Sequence, residues 1–135
     1  MSVLLVDDNA EVLSMLKELL ALEGMEAATA TSAAEALRLH RERHFPVILT
    51  DIRMPGMTGV DLIRNVKRTH PTCIVFIMTA FASLAGLVEC LEAGAVDYFI
   101  KPFVDTTAIV HALREALQRH ERWTAQLGGK QAASE

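Results

Sequence analysis

Pro46-Val47-Ile48-Leu49-Thr50-Asp51-Ile52-Arg53-Met54-Pro55-Gly56 decides how this 135-residue chain folds. A β-branched, apolar run leads straight into an acid, and the chain then breaks. A strand covered on both faces shows continuous hydrophobics rather than alternation, so the run reads as a buried strand. Pro55 cannot donate to a ladder and Gly56 tolerates positive φ, so a tight turn follows. Asp51 therefore stands where the strand leaves the core and meets solvent. Taken alone, such an acid is a strand-ending turn residue. In company it is a ligand or a nucleophile.

The pattern repeats outward from this stretch. Val3 to Val6 is a short buried strand that ends at Asp7-Asp8, and Asn9 or Asp8 caps the helix that follows. Val12, Leu13, Leu16, Leu19 and Leu20 recur at helical spacing on one face of it, and Gly24 stops it. Met25 to Ala30 reads as a weaker strand, poor in β-branched residues and nearer an edge. Ser32 and Glu35 form a capping box for a helix from Ala33 to about Arg43.

After the Asp51 strand, Thr58 and Asp61 cap a third helix carrying Val60, Leu62, Ile63 and Val66. Cys73 to Met78 is another continuous apolar strand, with its exit at Thr79-Ala80. Leu84 to Ala93 reads as a helix weakened by Gly86 and stopped by Gly94. Ala95 to Ile100 is a last strand, leaving at Lys101-Pro102. Asp105 or Thr106 caps a final helix with Ile109, Val110, Leu113 and Leu117 on one face. Its periodicity fades past Leu117, and Gly128-Gly129 is expected to end it before a loose tail. Residues 1–122 read as one domain and 123–135 as the end of the helix with a tail or linker.

Strand then helix, about five times over, implies a parallel sheet with right-handed crossovers and helices on both faces, an α/β doubly wound fold. Ligands in such sheets gather at the carboxyl ends of the strands, beside the switch point. Four strands deliver polar groups to that rim: Asp7 and Asp8, Asp51, Thr79, and Lys101. Three carboxylates that close repel one another, and a hard cation such as Mg²⁺, bound by oxygen, relieves this. Carboxylate, metal, hydroxyl and ammonium around one point suit a phosphoryl group in flight, whose charge spreads over three oxygens. One acid then serves as nucleophile. Asp51 fits best, alone on a central strand opposite the acid pair.

Composition narrows the partners. The chain is 51% hydrophobic and 22% charged with net charge -4, and its pI is near 5.7. That is too apolar for disorder and unlike a basic nucleic-acid surface. No apolar run reaches the roughly 20 residues of a membrane span. Cys73 and Cys90 lie in apolar segments and read as buried free thiols of a reducing compartment, without zinc-ribbon spacing. A cytoplasmic protein is expected. His40, His44, His70, His111 and His120 are scattered without repeated ligand spacing, which predicts solvated or capping roles. Met54 and Met57 read as turn packing.

The segments Val6-Asp7-Asp8, Leu49 to Gly56, Met78-Thr79-Ala80 and Asp97 to Phe103 together resemble the receiver domain of two-component response regulators. The resemblance covers residues 2 to about 120. It implies a flavodoxin-like strand order of 2-1-3-4-5. It makes Asp51 the phosphoacceptor, fed by a phosphohistidine on a sensor histidine kinase or phosphotransfer protein. Asp7, Asp8, Asp51 and the backbone carbonyl of Arg53 would hold Mg²⁺, with Mn²⁺ as a substitute. Lys101 would pair with the phosphoryl oxygens, and Thr79 and the Ala80 amide would donate to them. Tyr98 matches the aromatic that turns inward as Thr79 moves. Arg53 and Phe81 occupy positions that tune phosphoryl lifetime, and the Lys101-Pro102 bond is expected to be cis.

By the same resemblance the domain is a signalling switch rather than an enzyme on other substrates, though it catalyses its own phosphorylation and dephosphorylation. The face of helix Leu84–Ala93, the last strand and the final helix is expected to carry partner binding or a homodimer. The output is expected to be transcriptional, since the Phe76 to Phe81 and Asp97-Tyr98 segments look most like receivers of enhancer-binding, AAA-type activators. A free-standing receiver acting by protein contact or phosphorelay is the alternative. An aspartyl-phosphate hydrolase of the haloacid-dehalogenase type would want an acid where Arg53 stands. A flavin binder would want a Ser/Thr/Gly-rich loop after the first strand rather than two acids.

Overall fold

The computed structural model describes residues 2–80, 83–103 and 105–134, with side chains as far as residue 127. Five strands alternate with five helices: β1 (Ser2–Val6), α1 (Ala10–Leu22), β2 (Glu26–Ala30), α2 (Ala33–Arg43), β3 (Val47–Asp51), α3 (Gly59–Thr69), β4 (Ile74–Thr79), α4 (Leu84–Ala93), β5 (Asp97–Ile100) and α5 (Thr106–Ser134). The sheet is parallel throughout, in the order β2-β1-β3-β4-β5. The doubly wound parallel sheet is what the strand–helix alternation predicts, and the strand order is the one the receiver resemblance implies.

Alternation along each strand splits the apolar residues into two cores. Leu4, Val6, Ile48, Val75 and Ile77 face one way, onto α2, α3 and α4. Val3, Leu5, Val47, Leu49, Ile74, Phe76 and Met78 face the other, onto Leu13, Leu16 and Leu20 of α1 and Ile109 and Leu113 of α5. β1, β3 and β4 are buried along their whole length, which explains their unbroken hydrophobic runs. Each fully buried leucine here contributes roughly 1.5–3 kcal/mol.

Local chemistry sets the boundaries. Asn9 caps α1, its side chain accepting the Glu11 and Val12 amides. Thr58 and Asp61 close a reciprocal capping box on α3. Ser32 accepts the Glu35 amide at 3.1 Å, but the Glu35 carboxylate reaches back to the Thr31 amide rather than to Ser32, so that box is only half reciprocal. Asp105, not Thr106, opens α5, accepting the Thr107 amide at 2.9 Å.

The structure corrects three sequence expectations. β2 starts at Glu26 rather than Met25, because the Met25 amide turns back to Leu20 O at 2.8 Å and its side chain enters the core. β5 starts at Asp97, since the Ala95 amide is spent on Cys90 O at the end of α4. α5 does not stop at Gly128-Gly129 but runs to Ser134. Two glycines cost a helix about 1 kcal/mol each relative to alanine, and the backbone hydrogen bonds of a long helix continue past them.

His40 breaks the expectation of solvated histidines most sharply. It is 2% exposed, and its Nδ1 accepts the Phe45 amide at 3.0 Å. Burial, then repulsion from His70 and His44, lowers its pKa from 6.5 to about 4. The folded protein thus keeps this ring neutral where the unfolded chain would protonate it. Stability from this group is present above pH 6.5 and lost as pH falls towards 4. At 1.36 kcal/mol per unit the loss is on the order of 3 kcal/mol. Urea unfolding of the unsubstituted chain should weaken by that much more than His40→Gln between neutral pH and pH 4. Parallel losses would assign the acid sensitivity elsewhere.

Candidate functional site

β1 and β3 are neighbours, yet the chain leaves them towards opposite sides: β1 leads on to β2, and β3 leads on to β4. The crevice above their carboxyl ends is the switch point of the sheet. Asp7 follows the last residue of β1, and Asp51 is the last residue of β3. Carboxylate oxygens of Asp7, Asp8 and Asp51 all lie within 4.8 Å of one another. Asp7 is fully buried, Asp51 nearly so, and Asp8 is exposed at the mouth.

Backbone amides orient the acids. Asn9 N donates to Asp7 Oδ1 at 2.8 Å, and Arg53 N donates to Asp51 Oδ1 at 3.3 Å. Lys101 arrives from the end of β5, with its Nζ hydrogen-bonded to Asp7 Oδ2 and, at 3.1 Å, to Asp51 Oδ2. Its own amide donates to Thr79 O at 2.8 Å, which fixes the end of β5 against the end of β4. The Lys101-Pro102 peptide is cis, as expected.

The charges are coupled. Burial raises the Asp51 pKa, and Lys101 opposes the rise. Burial works against the Lys101 charge too, but its hydrogen bond to Asp7 and the field of Asp51 outweigh it and hold the ammonium above the usual lysine range. Three carboxylates against one ammonium leave an excess of two negative charges when all are ionised. A divalent, oxygen-seeking ion matches both that charge and that donor set.

Thr79 is buried at the end of β4, one residue beyond the partner of Asp51 in the β3–β4 register. Ala80 follows it and is exposed. Tyr98 pairs with Ile77 across β4–β5 and so shares a sheet face with Ile77 and Thr79. Tyr98 is 40% exposed. Phe81, expected to tune the site, lies outside the described residues. The fold therefore brings Asp7, Asp8, Asp51 and Lys101 into contact, and sets Thr79 beside them.

Gly59 is the residue that sequence reasoning missed. Its amide donates to Ile52 O at 2.8 Å, pinning the start of α3 under the Asp51 turn. A Cβ there would lie 2.3 Å from Asp51 O and 2.8 Å from Ile52 Cα. Beside the Thr58 cap, a glycine reads as an ordinary turn residue. Only the approach of α3 to the Asp51 peptide shows its purpose.

This crevice, with its acids and its lysine on a 2-1-3-4-5 sheet, has a known family. Residues 3–114 match the family described as the response regulator receiver domain, and the chain belongs to that family. Similar curated proteins include the transcriptional regulatory protein ZraR of Salmonella typhimurium, 37% identical over 97% of this chain and 30% of that one. The regulatory protein AtoC of Escherichia coli K12 is 39% identical over 86% of this chain and 25% of its own length. The chain thus spans under a third of these relatives.

Solved receivers agree in fold. A receiver domain protein from Methanospirillum hungatei superposes with a TM-score of 0.84 at 32% identity, covering 90% of this chain and 96% of that one. The beryllofluoride-activated NtrC4 receiver domain dimer gives 0.82 at 31% identity, covering 88% and 98%. Among the described residues, no helix is long and apolar enough to cross a membrane.

Proposed function

We propose that this domain is a Mg²⁺-dependent phosphorylation switch with Asp51 as the acceptor. The convergence of three carboxylates and one ammonium at the switch point carries the reading. Asp7, Asp8, Asp51 and the Arg53 carbonyl would hold the ion. Such an ion would supply positive charge to offset the phosphoryl oxygens beside Asp51. The Asp51 carboxylate attacks phosphorus as the phosphorus–nitrogen bond of a kinase phosphohistidine breaks. The leaving imidazole takes up a proton, and an acyl phosphate remains on Asp51. Lys101 keeps Asp51 ionised for the attack and then pairs with the new phosphoryl oxygens.

The readout follows from charge. A carboxylate becomes a group near -2 with extra acceptor oxygens. The Thr79 hydroxyl and the Ala80 amide move to donate to it, and Tyr98 turns inward from its exposed position. The surface next to Tyr98 is apolar and solvated: Leu84, Val88 and Leu91 on α4, with Val96 and Ile100 about β5, are each at least 41% exposed. A patch of this kind marks an interaction surface. We assign it to homodimerisation or to an output partner that acts on transcription. The transcriptional regulators among the relatives and the dimer of the NtrC4 receiver support that assignment.

A small phosphodonor with Mg²⁺ should label the chain once, with the alkali lability of an acyl phosphate. Asp8→Ala should weaken Mg²⁺ by at least tenfold in calorimetric titration. Unchanged affinity would remove Asp8 from the ligand set. Thr79→Ala should still accept phosphate at Asp51 but lose the phosphorylation-dependent shift in association state seen by light scattering. A shift of normal size would show that the hydroxyl does not relay the signal.

A further inference from the structure

Histidines dispersed in sequence gather in the fold, at the pole opposite Asp51. His40 lies in the last turn of α2 and His44 caps it, His70 caps α3, and His120 stands on α5. All four line one cavity of about 260 Å³, roofed by Trp123 and Leu127 of α5. The ring centroids of His44 and His70 are 4.4 Å apart, and those of His40 and His70 are 4.6 Å apart. No carboxylate is among the residues that line the cavity.

Two buried ring nitrogens here lack partners among the described residues: His40 Nε2 and His120 Nδ1. Buried polar atoms are nearly always hydrogen-bonded, so two orphans in one cavity point to an occupant. Their roles differ. His40 Nδ1 accepts the Phe45 amide, so the neutral ring carries its proton on Nε2. His40 therefore offers a donor, not a metal-binding lone pair. His120 Nδ1 has no such constraint.

We propose that this cavity binds one borderline transition-metal dication, of the Zn²⁺, Ni²⁺ or Cu²⁺ class, through the imidazoles of His44, His70 and His120. The Nε2–H of His40 donates to the water or other fourth ligand, the outer-shell part that orients a metal site. Imidazole suits these metals as carboxylate suits Mg²⁺, so the two poles of the sheet sort ions by ligand chemistry. Cys73, a buried free thiol, also lines the cavity.

Among the described residues, only the acid triad already has its ligand atoms within 4.8 Å of one another. The imidazoles close on the ion by side-chain rotation, for which His44, exposed at the rim, and His70, partly so, have room. The bound ion ties the far half of α5 to the segments that precede β3 and β4. It thereby sets the direction in which that helix leaves the domain.

The test is Co²⁺ titration of the full chain, without a histidine affinity tag, in saturating Mg²⁺ so that the acid pocket is filled. One equivalent should give the intense visible bands of four-coordinate Co²⁺, and equimolar Zn²⁺ should displace it. His70→Gln and His120→Gln should each weaken binding at least tenfold, while His111→Gln, whose ring is exposed on the outside of α5, should not. Circular dichroism establishes that each variant is folded. Absence of the bands would overturn the site, as would bands that survive the combined His70→Gln and His120→Gln change.

Discussion

Asp51→Asn is expected to reduce labelling by a small phosphodonor to background, a fall of roughly three orders of magnitude or more. The substitution is nearly isosteric. Its one amide oxygen can accept from Lys101 or from the Arg53 amide, but not from both as the two Asp51 oxygens do now, so one of these hydrogen bonds is lost. It also removes a buried charge whose ionisation burial disfavours. Folding should therefore survive, and the loss is chemical: an amide oxygen does not form an acyl phosphate. Urea unfolding of the variant should match the unsubstituted chain or exceed it. Labelling that persists at another residue would move the acceptor and dismantle the proposed roles of Asp7, Asp8 and Lys101.

Gly59→Ala should have the second largest effect, and it acts through the backbone. The new methyl would lie 2.3 Å from Asp51 O and 2.8 Å from Ile52 Cα, and neither atom belongs to a side chain that could swing aside. Either α3 retreats from the sheet or the Asp51–Ile52 peptide moves. Overpacking of this kind costs about 1–3 kcal/mol. The displaced peptide also carries the carboxylate away from Asp7 and Asp8, so Mg²⁺ affinity should fall at least tenfold. Urea midpoints and calorimetric titration measure the two effects separately. A variant with unchanged stability and unchanged Mg²⁺ affinity would show that the contact at Gly59 relaxes freely.

The strands that build the crevice were legible because each is buried on both faces. Short, β-branched apolar runs such as Val47-Ile48-Leu49 and Ile74-Val75-Phe76, bounded by turn residues, read as buried strands, and the polar residue that ends each one marks the rim. Asp7, Asp51 and Thr79 were legible this way, whereas Lys101 follows the largely exposed β5. Edge strands were less legible. In β5 three of the four residues are exposed, so burial does not set its start, and the α4 cap does.

Two features escaped for a different reason: both are contacts between elements. Gly59 matters because the first turn of α3 meets the peptide after Asp51. The histidine cavity matters because three helices end or pass beside the strands β3 and β4 as they begin. Positions 40, 44, 70 and 120 carry no periodicity, since each is set by where its own helix reaches that pole. Spacing rules work within one element, and these groups are neighbours only in space.

Lys101 already grips two of the three acids through its own ammonium. A tethered cation thus shares the crevice with whatever ion visits it. Starved of magnesium, the crevice keeps a resident counter-charge and does not burst open under its own repulsion. On the proposed reading, the domain without the ion would be silent rather than unfolded. That reading would place signal competence and structural survival under separate controls, with the Lys101 amine dividing them.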